Sequence, residues 1–220
     1  MLNEKKIVDE DAINTKLTHP RIFNIKCWND LLKGCHTLSC FCNRVEKTAK
    51  DIRESTYISN YDKYGQDGSN HLKGDSTEIF AEYVLKAYGR NWGIYNYKPL
   101  LTYDPEDKDV GVDGVGQTKD GRNVTIQIKY GNWNMHLDYH KRRLSTFHWT
   151  SINKYSVGNT SKDQMFIFTL AHDINWRTLS GNFHGRLKFI AREGSGGILL
   201  DNINNNDPTE IYSIKNICDN

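Results

Sequence analysis

Residues 123–130, NVTIQIKY, constrain this chain more than any other stretch. Val124, Ile126, Ile128 and Tyr130 alternate strictly with Thr125, Gln127 and Lys129, which is the period of a half-buried strand. The apolar side needs a core, while the other side presents an amide and an ammonium. Residues 109–115 read as a second short strand carrying Asp113 among Gly111 and Gly114, and Lys119, Asp120 and Gly121 supply turn chemistry between the two. The pair is a β-hairpin, and its register decides where the polar groups point. A two-residue Asp120-Gly121 turn sets Asp113 opposite Ile128 and aims an unpaired carboxylate at the core, an expensive arrangement. A three-residue Lys119-Asp120-Gly121 loop, with Gly121 left-handed, sets Asp113 opposite Gln127 with Lys129 on the same face. The second register is expected, or an equivalent bulge among Gly111, Gly114 and Gly116.

The rest of the chain supplies elements for such a hairpin to join. Residues 165–171, MFIFTLA, form a continuous apolar run suited to a buried central strand reached through a helical crossover. Residues 74–89 predict a helix with Asp75 or Ser76 as N-cap, an apolar face of Ile79, Phe80, Tyr83, Val84, Ala87 and Tyr88, and Gly89 as its stop. Residues 94–103 and 186–192 predict further strands, and a short element ends the chain after Pro208. The fold class is therefore α/β, a mixed sheet of four to six strands flanked by helices.

Residues 1–73 have a different texture and predict a helical N-terminal region ahead of a core spanning 74–220. One helix is expected around Ile25, Trp28, Leu31 and Leu32, and a second over 39–53. A linker follows at 57–73, rich in Tyr, Asn, Asp, Ser and Gly. Cys27, Cys35, His36, Cys40 and Cys42 cluster here, but Cys40-Phe41-Cys42 is too tight for the usual zinc-binding pairs. Free, buried thiols are expected rather than zinc.

Net charge is only +2, yet residues 114–162 carry eight Lys and Arg against two Asp, so this segment is +6 and the remainder −4. A concentrated basic segment suits a polyanionic partner. Lys141, Arg142 and Arg143 are its densest run, with Lys119 and Arg122 nearer the hairpin. No run approaches the roughly 18 apolar residues of a membrane span, and the first residues lack the apolar core of a signal peptide. The reading is of a cytoplasmic protein without membrane contact.

An Asp brought beside a Gln and a Lys on one strand pair has a specific chemical use. Hydrolysing a phosphodiester calls for a cation that neutralises charge on the phosphate and acidifies the attacking water. Mg²⁺ binds through one or two carboxylates and keeps positions for water and phosphate oxygens. Asp113 would anchor it, and the Gln127 oxygen would be a neutral ligand or hold a ligand water. Lys129 would orient or deprotonate that water and stabilise the developing charge. The alternative is an exposed hairpin with Asp113 and Lys129 as a surface pair, a contact typically below ~1 kcal/mol.

Gly111-Val112-Asp113-Gly114 followed by Gln127-Ile128-Lys129 resembles the PD-(D/E)xK, or restriction-endonuclease-like, nucleases. The likeness is to their Gln-x-Lys branch, found in type IV restriction nucleases, Holliday-junction resolvases and viral helicase-linked nuclease domains. It covers about residues 74–171, with Val112 in place of the usual proline and Gln127 in place of the acid. The resemblance implies a Mg²⁺-dependent DNA endonuclease, with Mn²⁺ as a substitute and a homodimer as the means of cutting both strands. It implies catalytic Glu78, Asp113, Gln127 and Lys129, with the metal on Asp113, Glu78, Gln127 and the Ile128 backbone carbonyl. Glu78 matches the family's helix glutamate, with Glu82 as its substitute. A local reading of the same helix makes Asp75 and Glu78 a capping box and pairs Glu82 with Lys86. The competing functions are a structure-specific resolvase or helicase-associated nuclease, and a non-catalytic nucleic-acid-binding module on the same fold.

Overall fold

A computed structural model of the chain describes residues 17–18, 38–54, 68–100, 111–131, 136–137, 144–157, 164–171, 173–174, 187–191 and 211–213. The helix expected around Trp28, residues Cys27, Cys35 and His36, and the basic run Lys141-Arg142-Arg143 lie outside these. Helix α1 spans Leu38–Glu54 and α2 Gly68–Tyr88, the latter running into a 3₁₀ turn at Gly89–Trp92. Strands β1 (Tyr95–Pro99), β2 (Gly114–Gln117) and β3 (Asn123–Lys129) follow, then β4 (His136–Leu137) and helix α3 (Leu144–Asn153). Strands β5 (Gln164–Thr169), β6 (Asp173–Ile174), β7 (Leu187–Ala191) and β8 (Ile211–Ser213) complete the described elements.

The main sheet has six strands in the order β1-β2-β3-β5-β7-β8. The first three are antiparallel neighbours, and from β3 onward the pairs are parallel. β4 and β6 pair separately. A parallel β3–β5 pair requires a crossover, and α3 provides it on one face of the sheet.

Alternation along the central strands sorts the core into two layers. Val124, Ile126, Ile128, Phe166, Phe168 and Ile190 pack with α1 and α2. Met165, Ile167 and Leu187 pack on the opposite face with Leu144 and Phe147 of α3. Phe41 of α1 stacks on Phe80 of α2 at 4.7 Å, and Phe80 meets Phe168 edge-on at 6.3 Å, so one aromatic chain runs from the outer helix to the sheet. Cys42 is buried within this layer, outside any disulfide.

Three local expectations change. The second helix begins at Gly68 rather than Gly74, so Asp75 and Ser76 are buried inside it and do not cap it. Packing outweighs the turn-like composition of residues 68–73. Leu72 is fully buried, and Lys73 bonds Glu46 of α1 at 2.6 Å while lying 5.2 Å from the Tyr130 ring centroid. Helix α2 is thus continuous across residues 73–74, and α1 shares its core. The first strand is shorter than residues 94–103, with Asn96 at φ +52 and a register shift between Tyr95 and Lys98. Finally, β3 is not half-buried: Val124 through Ile128 are all buried, because α3 covers the face that alternation alone assigned to solvent.

Candidate active site

The hairpin adopts the register that brings Asp113 to Gln127. Gly114 stands opposite Ile126, Val115 opposite Thr125 and Gln117 opposite Asn123. Thr118 N–H donates to the Arg122 carbonyl at 2.8 Å and Gly121 N–H to the Thr118 carbonyl at 2.9 Å, closing residues 119–121 into a three-residue loop. Gly121 is left-handed at φ +82, the conformation that this loop demands.

At the other end of the hairpin the ladder opens. Asp113 N–H donates to the Ile126 carbonyl at 2.9 Å, and the Asp113 carbonyl accepts from Leu100 N–H at 2.9 Å, which ties β1 to the same point. Ile128 N–H donates to Asp113 Oδ2 at 2.6 Å. A carboxylate oxygen thereby replaces the ladder carbonyl where β2 diverges from β3. Asp113 is consequently fixed in a fork between two strands, at the carboxyl end of β3. N–H and C=O of one strand residue leave on the same side, so the Ile128 carbonyl is directed toward this fork as well.

Gln127 lies beside the fork and is fully buried, and neither its Oε1 nor its Nε2 has a hydrogen-bond partner among the described residues. Gly111, left-handed at φ +73, closes over it. A Cβ there would stand 3.2 Å from Gln127 Nε2 and 3.1 Å from the Phe147 nitrogen. Lys129, two residues on and half-buried, shares this face by alternation.

Glu78 belongs to the opposite layer. It lies on α2, half-buried, and its charge acts on Tyr97 together with those of Asp113 and Glu82. The sheet therefore separates Glu78 from Gln127 and Lys129, with Asp113 between the two faces. Glu82 is engaged structurally. It is fully buried, pairs with Lys86 at 2.6 Å, and accepts from Thr18 N–H at 2.8 Å and Thr18 Oγ1 at 2.6 Å. The local i,i+4 pairing is the one formed, whereas the capping box is not. Among the described residues no three His, Cys, Asp or Glu side chains stand close enough to hold a metal.

Lys119 and Arg122 sit at the hairpin tip. The seven residues of β3, at about 3.3 Å each, put roughly 20 Å between that tip and Lys129. Arg122 also forks onto Asp120, Nε to Oδ2 at 2.9 Å and a terminal nitrogen to Oδ1 at 3.1 Å. Arg122 and the Thr118 hydroxyl hold the Asp120 carboxyl down to about 2, so much of the Arg122 charge is matched locally.

Tyr97 was not singled out by sequence reasoning. It is 5% exposed, and its hydroxyl has no partner among the described residues. Its ring lies over Gly114, where a Cβ would stand 2.5 Å from Cε2 and 2.6 Å from the hydroxyl oxygen. Burial first, then the charges of Asp113, Glu78 and Glu82, push the phenol well above its ordinary range, so it remains a neutral donor. The usable signal was a tyrosine on the strand paired with a glycine-flanked aspartate.

These oxygens form a hard donor set. A carboxylate, a backbone carbonyl directed to the same fork and a buried amide oxygen without a partner among the described residues fit a small divalent cation that completes its shell with water. No helix among the described residues is long and apolar enough to cross a membrane. No family model matches the chain, and no curated protein matches it.

Proposed function

We propose that this chain is a Mg²⁺-dependent DNA endonuclease of the PD-(D/E)xK type. The observation that carries the reading is the fork: Asp113 locked onto Ile128 N–H, one residue along β3 from a buried Gln127 amide that has no partner among the described residues. Leaving such an amide unpaired costs about 1–3 kcal/mol, a cost that a ligand-binding role would offset. Asp113, the Gln127 oxygen and the Ile128 carbonyl would hold the cation, with Mn²⁺ as a substitute, and Glu78 of α2 would be the second acid. The cation, when bound, would acidify the attacking water and neutralise phosphate charge. Asp113 keeps its position through the Ile128 bond, Lys129 presents an ammonium to the developing negative charge, and α3 and Gly111 exclude bulk water from Gln127.

DNA is the expected substrate because the basic segment 114–162 surrounds this strand in sequence, with Lys141, Arg142 and Arg143 as its densest cations and Lys119 near the hairpin tip. A second copy would supply the cut on the other strand. The deciding experiment is Mg²⁺-dependent nicking of plasmid DNA by wild type and Lys129→Ala, alongside DNA binding. Loss of nicking with binding retained is expected, because one lysine adds little to phosphate affinity. Binding by wild type without nicking in Mg²⁺ or Mn²⁺ would instead indicate a non-catalytic nucleic-acid-binding module. Wild-type cleavage by Lys129→Ala would misplace the centre.

A further inference from the structure

Tyr97 lies against the fork at Gly114 and takes no part in the proposed reaction. Its hydroxyl is buried, has no partner among the described residues, and lies against Gly114, the residue bonded to Asp113. Ordinary packing would place a phenylalanine there, because a buried hydroxyl without an acceptor is a net cost. Two features direct it toward acids. Gly114 lacks the side chain that would push the ring away, and the three carboxylates whose charges reach the ring are Asp113, Glu78 and Glu82. Glu82 is engaged by Lys86 and Thr18, and Asp113 is the acid whose chain neighbour, Gly114, the ring lies against.

We propose that Tyr97 is a positioning residue for the divalent-cation site, its hydroxyl reaching the Asp113 carboxylate through a bridging water and so fixing where that acid stands at the fork. This rests on the nuclease reading for the identity of the site. Asp113 is held on one side by Ile128 N–H, and Tyr97 would add a second, water-mediated hold from the side of its ring. A donor of this kind behind a ligand is commonly worth 10–100-fold in cation affinity. The glycine after the aspartate thereby gains a reason: it admits the ring that orients the aspartate.

The test is Tyr97→Phe in the full chain, read by the Mg²⁺ and Mn²⁺ concentrations that give half of the cation-induced rise in melting temperature, without DNA, and separately by plasmid nicking. The expected result is an unchanged or higher melting temperature without cation, a half-point about tenfold or more higher, and slower nicking that excess cation partly restores. Tyr97→Phe with the wild-type half-point overturns the inference, even if nicking is lost. A wild type that shows the cation-induced rise and does not nick defeats the nuclease reading alone, and the Tyr97→Phe half-point still decides the positioning role. A wild type with no cation-induced rise overturns both. Gly114→Ala is the second variant: its Cβ would stand 2.5 Å from the ring carbon Cε2 and displace the ring, so it should raise the half-point, and a wild-type half-point would count against the inference.

Discussion

Replacing Gln127 by Met should stabilise the cation-free protein and abolish cleavage. The two side chains have similar length, so the cavity under Gly111 and Phe147 stays filled while two unpartnered polar atoms are removed. A buried amide without partners costs about 1–3 kcal/mol in proteins. The expected gain is therefore about 2 kcal/mol, or roughly 4–8 °C in Tm for a chain of this size. Cation should reverse the order. Wild type gains about 2.7 kcal/mol at a concentration 100 times its Kd, and Gln127→Met, lacking the ligand, should gain much less. Denaturant unfolding of both proteins, with chelator and with Mg²⁺, measures all four values. Two results would refute the reasoning: a variant less stable than wild type by more than about 1 kcal/mol in chelator, which would mean the amide is paired, or nicking at the wild-type rate.

Three further predictions probe the scaffold. Gly74 lies inside α2 with open space where a Cβ would go, so Gly74→Ala should add about 0.5–1 kcal/mol by denaturant unfolding; a loss would indicate that the helix starts after it. Lys86→Ala leaves the fully buried Glu82 without its cation and should cost about 3 kcal/mol, whereas a change below about 1 kcal/mol would show the pair to be dispensable. Asp120 should titrate near 2 by carboxyl NMR. Because its folded pKa is depressed, its stabilising contribution is present above the ordinary value of 3.8 and fades as pH falls through about 2. Arg122→Gln should return the midpoint toward 3.8, and a midpoint that does not move would remove Arg122 as the main cause.

The hairpin register was legible because only two loop lengths were available and one of them buried an unpaired carboxylate. The central β5 strand was legible because its apolar run needs both faces covered, which also implies a crossover helix. The start of α2 was not, since the packing of Leu72 and the Lys73 bond to Glu46 are contacts between distant residues that Gly-Ser-Asn does not announce. Alternation along β3 was read correctly as a period and incorrectly as exposure. Period reports which residues share a face; it does not report whether another element covers that face. The Arg122–Asp120 fork could have been found from a turn with opposite charges two residues apart, and it weakens Arg122 as a phosphate contact.

Thr125 and Gln127 lie on the same face of the same strand, two residues apart, and both are fully buried. Under Thr125, α3 provides a partner: Thr125 Oγ1 donates to Ser151 Oγ at 2.8 Å. At Gln127 the chain before Asp113 closes over the amide through left-handed Gly111, which brings no side chain and lies against both the amide and the Phe147 backbone. The same helix thus satisfies one buried polar group and leaves its neighbour enclosed but unpaired. A general tolerance of polar residues on this face would leave both unpaired, and selection for stability alone would have placed an apolar residue at 127. What distinguishes the two positions is distance from the fork. Gln127 adjoins the point where Asp113 replaces a ladder carbonyl, and Thr125 is one pleat removed. Among the described residues the unpaired Gln127 amide therefore adjoins the opening in the ladder, where an oxygen-seeking ligand would meet both a carboxylate and an amide.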